Sequence, residues 1–300
     1  MPLSAHRLAN GYRQWGAWLY RLATQRQRSR LREQLMAERR FPVAVLFYHR
    51  VADCCPTPWT ISRRNFAAHL DWLEREFDVV SLAEAQRRIR SESNQRPTVA
   101  LTFDDGYAEN CDFAIPELER RGLTATYFVA TEPVISRVPF AHDLRINCRF
   151  APNSIAEIQD IARAGFEIGG HTKNHLDIGQ LATREAIQDE ILGGIEQLES
   201  WGVGPIKTFS FPFGMPRNTS QLAVDVVLEA GVTSFCSAYG AWNWPGSPGY
   251  HLRRIHADPG MQTLKSWLTL DARKLREPYA LPFCEPEGSL RLLGASACVS

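Results

Sequence analysis

The sequence predicts an α/β fold: a distorted (β/α) barrel of parallel strands, preceded by a basic amphipathic helical extension. Three observations carry that prediction. Apolar runs such as FPVAVLFYH (41–49) and TVALTF (98–103) are continuous rather than alternating, as in strands buried on both faces. Helix start signals follow these runs, so strand and helix alternate along the chain, and about seven strands of this kind close or nearly close a barrel. Charge is partitioned as well. Nine of the 34 basic residues but only two of the 33 acids, Glu33 and Glu38, fall in the first 40 positions, a net +7 that leaves the rest of the chain acidic.

The elements follow in order. Leu8, Tyr12, Trp15, Leu19 and Leu22 recur at helical spacing with Arg residues between them, so residues 4–38 read as one or two basic amphipathic helices. After the strand at 41–49, Ser62 opens a helix running to about Phe77, and Ser81 with Glu84 forms a capping box for the next. TVALTF is followed by a helix ending at Gly122, then by the strand TATYFVA (124–130) and a helix from Ser154, capped by Glu157, to Gly165. FEIGG (166–170) is a short strand and Thr183 to Trp201 a helix. KTFSFPF (207–213) is a strand, and Thr219 to Ala230 a helix stopped by Gly231. TSFCSA (233–238) and YHLRRIHA (250–257) complete the barrel. The domain reading is therefore an extension over 1–40, a catalytic domain over 41–271 and an aperiodic tail over 272–300.

Composition narrows the function classes. Hydrophobic residues at 44% and charged residues at 22% exclude a disordered chain. No apolar run is long enough to span a bilayer, and the start lacks the apolar stretch of a signal peptide. The seven cysteines are scattered without a C-x-x-C pair, against both a disulfide framework and a cysteine zinc site, which fits a reducing cytoplasm. An acidic remainder with only four Lys argues against a nucleic-acid partner. Aromatic residues opposite Arg in the extension instead suit the inner, anionic face of a membrane, alongside the plainer reading of a helix packed on the barrel.

Metal-ligating residues stand just after several strands: His49 in YH, Asp104 and Asp105 in TFDDG, and His171 and His175 in HTKNH. In parallel barrels the C-terminal strand ends converge on one face, so their sequence separation ceases to matter. Asp105, His171 and His175 offer two imidazoles and a carboxylate, a set that suits one divalent ion, zinc for preference, with positions open for water and substrate. The i, i+4 spacing of the two His allows a helical turn, but the Glu of an H-E-x-x-H site is absent, so the base lies elsewhere. Two adjacent carboxylates repel unless a cation is shared. Asp105 is therefore read as ligand and Asp104 as general base, with the strand turning at Gly106 so that both face one way.

TFDDG, HTKNH and FSFPFG together resemble the first three motifs of the polysaccharide deacetylases, the carbohydrate esterase family-four catalytic domain, over about residues 41–270. The resemblance implies a distorted barrel and metal-dependent removal of N-acetyl groups from amino sugars. It gives the Phe213 N–H, after Pro212, a place in binding the oxyanion. Two departures stand out: Ser210 occupies a position where many members carry Arg, and no late Leu-x-His supplies the general acid. A rearranged subgroup, resembling the poly-N-acetylglucosamine deacetylases of biofilms, begins with a strand ending in YH or FH and closes with LxRI, and LFYHRV and HLRRI match it. That likeness moves the acid role to His49, with His251 and His256 as further candidates, and gives Arg254 the support of the site's charges. Trp242 and Trp244 either line a sugar groove or pack beneath a loop. The functional expectation is a cytoplasmic hydrolase acting on an N-acetylated saccharide of envelope or exopolysaccharide synthesis, either polymeric or lipid-linked, with residues 1–40 either in peripheral contact with the membrane or packed on the barrel. Its rivals are a deformylase or other amide hydrolase of the same fold and a silent saccharide-binding module.

Overall fold

The structure, a computed structural model, describes residues 23–257 and 260–271. The apolar stripe from Leu8 to Leu22 and the tail over 272–300 lie outside the described residues. In chain order, helix α1 (Gln25–Ala37) leads into β1 (Val43–Tyr48), and β2 (Arg50–Val51) pairs with β3 (Thr60–Ile61). Then come α2 (Arg63–Glu76), β4 (Asp78–Val80), α3 (Leu82–Arg90), β5 (Thr98–Phe103), α4 (Ala114–Arg120) and β6 (Thr126–Val129). Short helices α5 (Thr131–Ser136) and α6 (Ala141–Arg145) precede α7 (Ile155–Arg163) and β7 (Glu167–Gly170). The chain continues with α8 (Arg184–Ser200), β8 (Thr208–Ser210), α9 (Gln221–Glu229), β9 (Ser234–Ser237), β10 (His251–His256) and α10 (Met261–Trp267).

Seven strands close the barrel, all parallel: β1, β5, β6, β7, β8, β9 and β10 in turn, with β10 returning to β1 so that Val45 faces Arg254. β4 extends the start of β5 beside this circuit. Alternation along each strand explains the continuous apolar runs. Val43 and Val45 of β1 join Ala100, Phe128, Cys236 and Leu252 in an interior cluster, while Ala44, Leu46 and Tyr48 join the larger cluster beneath the helices. Helix α3 contributes Leu82, Ala85 and Ile89 to the interior cluster. Its Gln86 amide donates to the carbonyls of Thr233 and Gly249, just before β9 and β10, so α3 plugs the N-terminal end of the barrel.

Several expected details change. Ser81 accepts from the Glu84 N–H, but the Glu84 carboxylate turns to Arg87 and Arg88, so the reciprocal half of that capping box does not form; at Ser154 and Glu157 both halves do. The helix ending at Gly122 splits into a 3₁₀ turn, Ala108–Asp112, and α4. β8 stops at Ser210, ahead of Pro212, which has no N–H to donate. Asn243 exchanges backbone hydrogen bonds of 2.8 and 2.9 Å with Val43, and the Gly246 N–H bonds to Ile89. The Trp242–Trp244 segment thus packs at the plugged end of the barrel, away from the strand ends that carry His49 and Asp104, and Trp242 is buried.

Candidate active site

β5 ends at Phe103 and the chain turns at once. Asp105 takes a φ of 77° and Gly106 a φ of 102°, with the Gly106 N–H on the Asp104 carbonyl at 3.0 Å. Neighbouring strand residues point to opposite faces, so the left-handed Asp105 is what brings both carboxylates to one mouth. The sequence reading gave this turn to Gly106 alone. Asp tolerates the left-handed region better than most residues. HTKNH likewise is not a helical turn: Thr172 and His175 have φ of 66° and 56°, and the Thr172 hydroxyl accepts from the His175 N–H at 3.0 Å. Phe213 adds a fourth left-handed residue at 61°, a concentration of backbone strain of the kind that marks functional loops.

Asp105, His171 and His175 converge at the centre. Their ligand atoms lie within 4.8 Å of one another, with Nε2 of His171 and of His175 at 3.3 and 3.0 Å from Asp105 Oδ1. The Ser210 carbonyl, 2.7 Å from His171 Nδ1, can only accept, so Nδ1 carries the proton of the neutral ring and Nε2 presents a lone pair. Nε2 then has nothing to donate to Asp105, and Oδ1 is indeed buried without a hydrogen bond despite the short distances. Lone pairs facing one another in a buried site suit a cation. The residues fit one divalent ion. Helix α8 steadies the loop that carries both His: buried Glu190 accepts from the Asn174 N–H at 2.9 Å and its side-chain amide at 2.5 Å. Gly194 lets the helix approach, since a Cβ there would stand 3.0 Å from the Lys173 nitrogen.

Asp104 faces the other way, onto Arg254. The guanidinium grips both of its oxygens, Nη1 to Oδ1 at 2.6 Å and Nη2 to Oδ2 at 2.7 Å. Arg254 is 1% exposed inside the barrel, also bonded to Thr102, Ser210 and the Ser237 carbonyl and stacked over Phe47 and Phe128. Burial acts to raise the Asp104 carboxyl, but Arg254, with His171, outweighs it and holds the group below the usual carboxylate range. Ser210, at the position where the family resemblance led one to expect Arg, is here the hydroxyl that receives an arginine from β10.

His49 and Phe213 complete the set: all seven predicted residues line one cavity of about 160 Å³. The Phe213 N–H meets no acceptor among the described residues. His256 lies with its ring centroid 5.9 Å from that of His49. His251 points away, stacked on Phe235 at 4.9 Å and bonded through Nε2 to Ser237 at 2.6 Å. Burial, aided by Arg253, pushes the His251 pKa down from 6.5 to about 3. Between those values unfolding takes up a proton that the folded ring refuses, so stability falls as pH drops below 6.5. His251→Asn is expected to flatten this dependence in urea titrations at successive pH values while leaving neutral-pH turnover unchanged.

Four residues of the site were not anticipated. Asp143, buried, accepts from Tyr107 at 2.9 Å and from the Trp59 indole at 3.2 Å, while His142 reaches the Tyr107 hydroxyl at 2.9 Å and stands 3.7 Å from Asp105. Burial pushes the Asp143 carboxyl up to about 6. For His142 and Asp143 the signal was a long connection, since between β6 and the capped helix at Ser154 the sequence shows no clear period, and long loops of that kind are uncommon in compact domains unless functional or disordered; Trp59 and Tyr107, from two other connections, carried no such signal.

The polysaccharide deacetylase sequence profile matches residues 91–242, just over half of the chain. The chain belongs to the polysaccharide deacetylase family. Membership supports a deacetylase hydrolase and an acetylated saccharide as substrate. The peptidoglycan-N-acetylglucosamine deacetylase of Bacillus cereus is 23% identical over 180 residues, 60% of this chain and 70% of that protein. Among solved structures, IcaB from Ammonifex degensii superposes with a TM-score of 0.64 at 21% identity, over 76% of this chain and 97% of that one. The Streptococcus pyogenes deacetylase PplD gives 0.64 at 18% identity, over 77% and 99%. At such identities the superpositions establish the fold.

Proposed function

We propose that this deacetylase is a metal-dependent hydrolase removing N-acetyl groups from the amino sugars of a cell-envelope or exopolysaccharide precursor. The observation that carries the reading is the division within the Asp pair, one carboxylate converging with two imidazoles and its neighbour gripped by a buried Arg. Asp105, His171 and His175 would hold the ion, zinc suiting this donor set, and when bound it supplies Lewis-acid polarisation and a more acidic water. Asp104 takes the proton from the attacking water, its remaining lone pairs free because Arg254 uses one on each oxygen. The Phe213 N–H receives the developing oxyanion. His49 gives a proton to the amine nitrogen as the C–N bond breaks, leaving acetate and a free amine. Arg254 touches no reacting atom and acts as a positioning residue.

The same reading makes the substrate lipid-linked and the enzyme cytoplasmic, with residues 1–40 in peripheral contact with the inner face of the membrane. No helix among the described residues is long and apolar enough to cross a bilayer. Free acetate released from lipid-linked and polymeric N-acetylhexosamines tests the reaction. Formate from N-formyl substrates without acetate would move the assignment to a deformylase, and neither product would leave a saccharide-binding module. Asp104→Asn should retain metal by elemental analysis while turnover falls about 10²-fold or more, the loss of a general base. His49→Ala should behave alike but lose only the basic limb of the pH–rate profile. An unchanged profile would pass the acid role to His256, whose ring lies beside that of His49, or to water.

A further inference from the structure

Eight large hydrophobic side chains are exposed among the described residues, and six cluster by chain position around the catalytic mouth: Ile135, Val138, Leu144, Ile146, Leu176 and Phe213. The first three stand on and between α5 and α6, Ile146 directly follows α6, Leu176 follows His175, and Phe213 follows Pro212. Val138, Arg145 and Phe213 line one cavity of about 180 Å³ that shares His142, His175 and Phe213 with the catalytic pocket, so these loops form one surface. Single exposed apolar residues need no explanation, but a group at an entrance does. Charge accompanies it. Residues 135–149 hold exposed Arg137, Arg145 and Arg149, none in a salt bridge among the described residues, and the segment's sole acid, Asp143, is buried. Glu132 is the one acid on the shared cavity wall.

We infer that this rim docks the enzyme on an anionic lipid bilayer, with the saccharide headgroup of a lipid-linked substrate entering the pocket from the membrane surface. The inference rests on the deacetylase reading for its substrate, though not for the binding itself. Five of the six side chains are aliphatic. A saccharide subsite recruits aromatic faces and hydrogen-bonding groups, whereas aliphatic side chains flanked by Arg supply the apolar insertion and headgroup attraction of an interfacial surface. Position agrees. The rim surrounds the C-terminal strand ends, so its insertion brings the pocket to the lipid. Helix α1 lies at the opposite end, where Arg40 bridges Asn94 ahead of β1, and contact made there alone would leave the mouth facing away.

Co-sedimentation of the full chain with phosphatidylcholine vesicles, with and without phosphatidylglycerol, tests the inference. The full chain should bind only the anionic vesicles and release at high salt. Leu144→Asp with Ile146→Asp should weaken binding about tenfold or more, the loss of two inserted side chains. Arg137→Ser with Arg149→Ser, a gentler surface change, should weaken it severalfold, and both variants should keep hydrolysis of a soluble acetylated substrate. Vesicle binding untouched by both variants and lost on Trp15→Glu with Leu19→Glu would overturn the rim in favour of the extension. Rim variants that bind vesicles normally yet fail on polymeric saccharide would make it a saccharide subsite instead. A wild-type chain that binds vesicles while releasing no acetate would refute the deacetylase reading and leave the docking surface standing.

Discussion

His175→Ala is expected to release the divalent ion and to lower acetate production about 10³-fold or more, since a catalytic metal contributes several kcal/mol to transition-state stabilisation. The ring is nearly buried, its Nε2 3.0 Å from Asp105 Oδ1, and its main chain is held by Thr172, so the loop keeps its anchor when the imidazole goes. Two donors, Asp105 and His171, then remain, too few to hold an ion against chelators. Stability gives a readout independent of turnover. A ligand bound only by the folded state raises the melting temperature by mass action, so chelation should lower that of the wild type and leave that of the variant unmoved. Stoichiometric metal in purified His175→Ala would remove this residue from the ligand set.

The barrel was legible because its strands are buried on both faces. Runs such as VAVLFY and TVALTF admit no solvent-facing alternate, and several of the helices between the strands carry a cap that the sequence displays, Ser62, Ser154 and Thr183 among them. The Asp pair and the two His were legible for a different reason, since they follow strands that topology gathers at one end. Backbone conformation was not legible. Nothing in the residue types announces that Asp105, Thr172, His175 and Phe213 are left-handed, because that choice is imposed by the packed barrel rather than by local propensity. The Trp59–Asp143–Tyr107–His142 network escaped for a similar reason: its members come from three connections without period, and only the fold makes them neighbours. Arg254 was legible in part. The LxRI strand pointed to it, but its bidentate hold on Asp104 follows from β10 closing onto β1.

Arg254→Met should cost on the order of 3–5 kcal/mol of folding stability, because it strands a buried carboxylate that the guanidinium now satisfies. The cost is one of pairing rather than packing, since Met fills much of the same space between Phe47 and Phe128. Asp104→Asn alone should also destabilise, leaving the charge on Arg254 with neutral partners only: Thr102, Ser210, the Ser237 carbonyl and the new amide. Combining Arg254→Met with Asp104→Asn removes both charges, so the double variant should be less destabilised than the sum of the singles and close to the milder of them. Urea titrations in the presence of a chelator isolate the pair from any contribution of the ion, and a constant m-value would show that the same folded and unfolded states are compared. Turnover should not follow stability. The double variant regains the fold without a general base and stays inactive, and this separates the structural role of Arg254 from the chemistry of Asp104. Additive costs would mean that the two groups are uncoupled, and the altered third motif, in which Ser210 receives an arginine from β10, would then have no bearing on how the base is held.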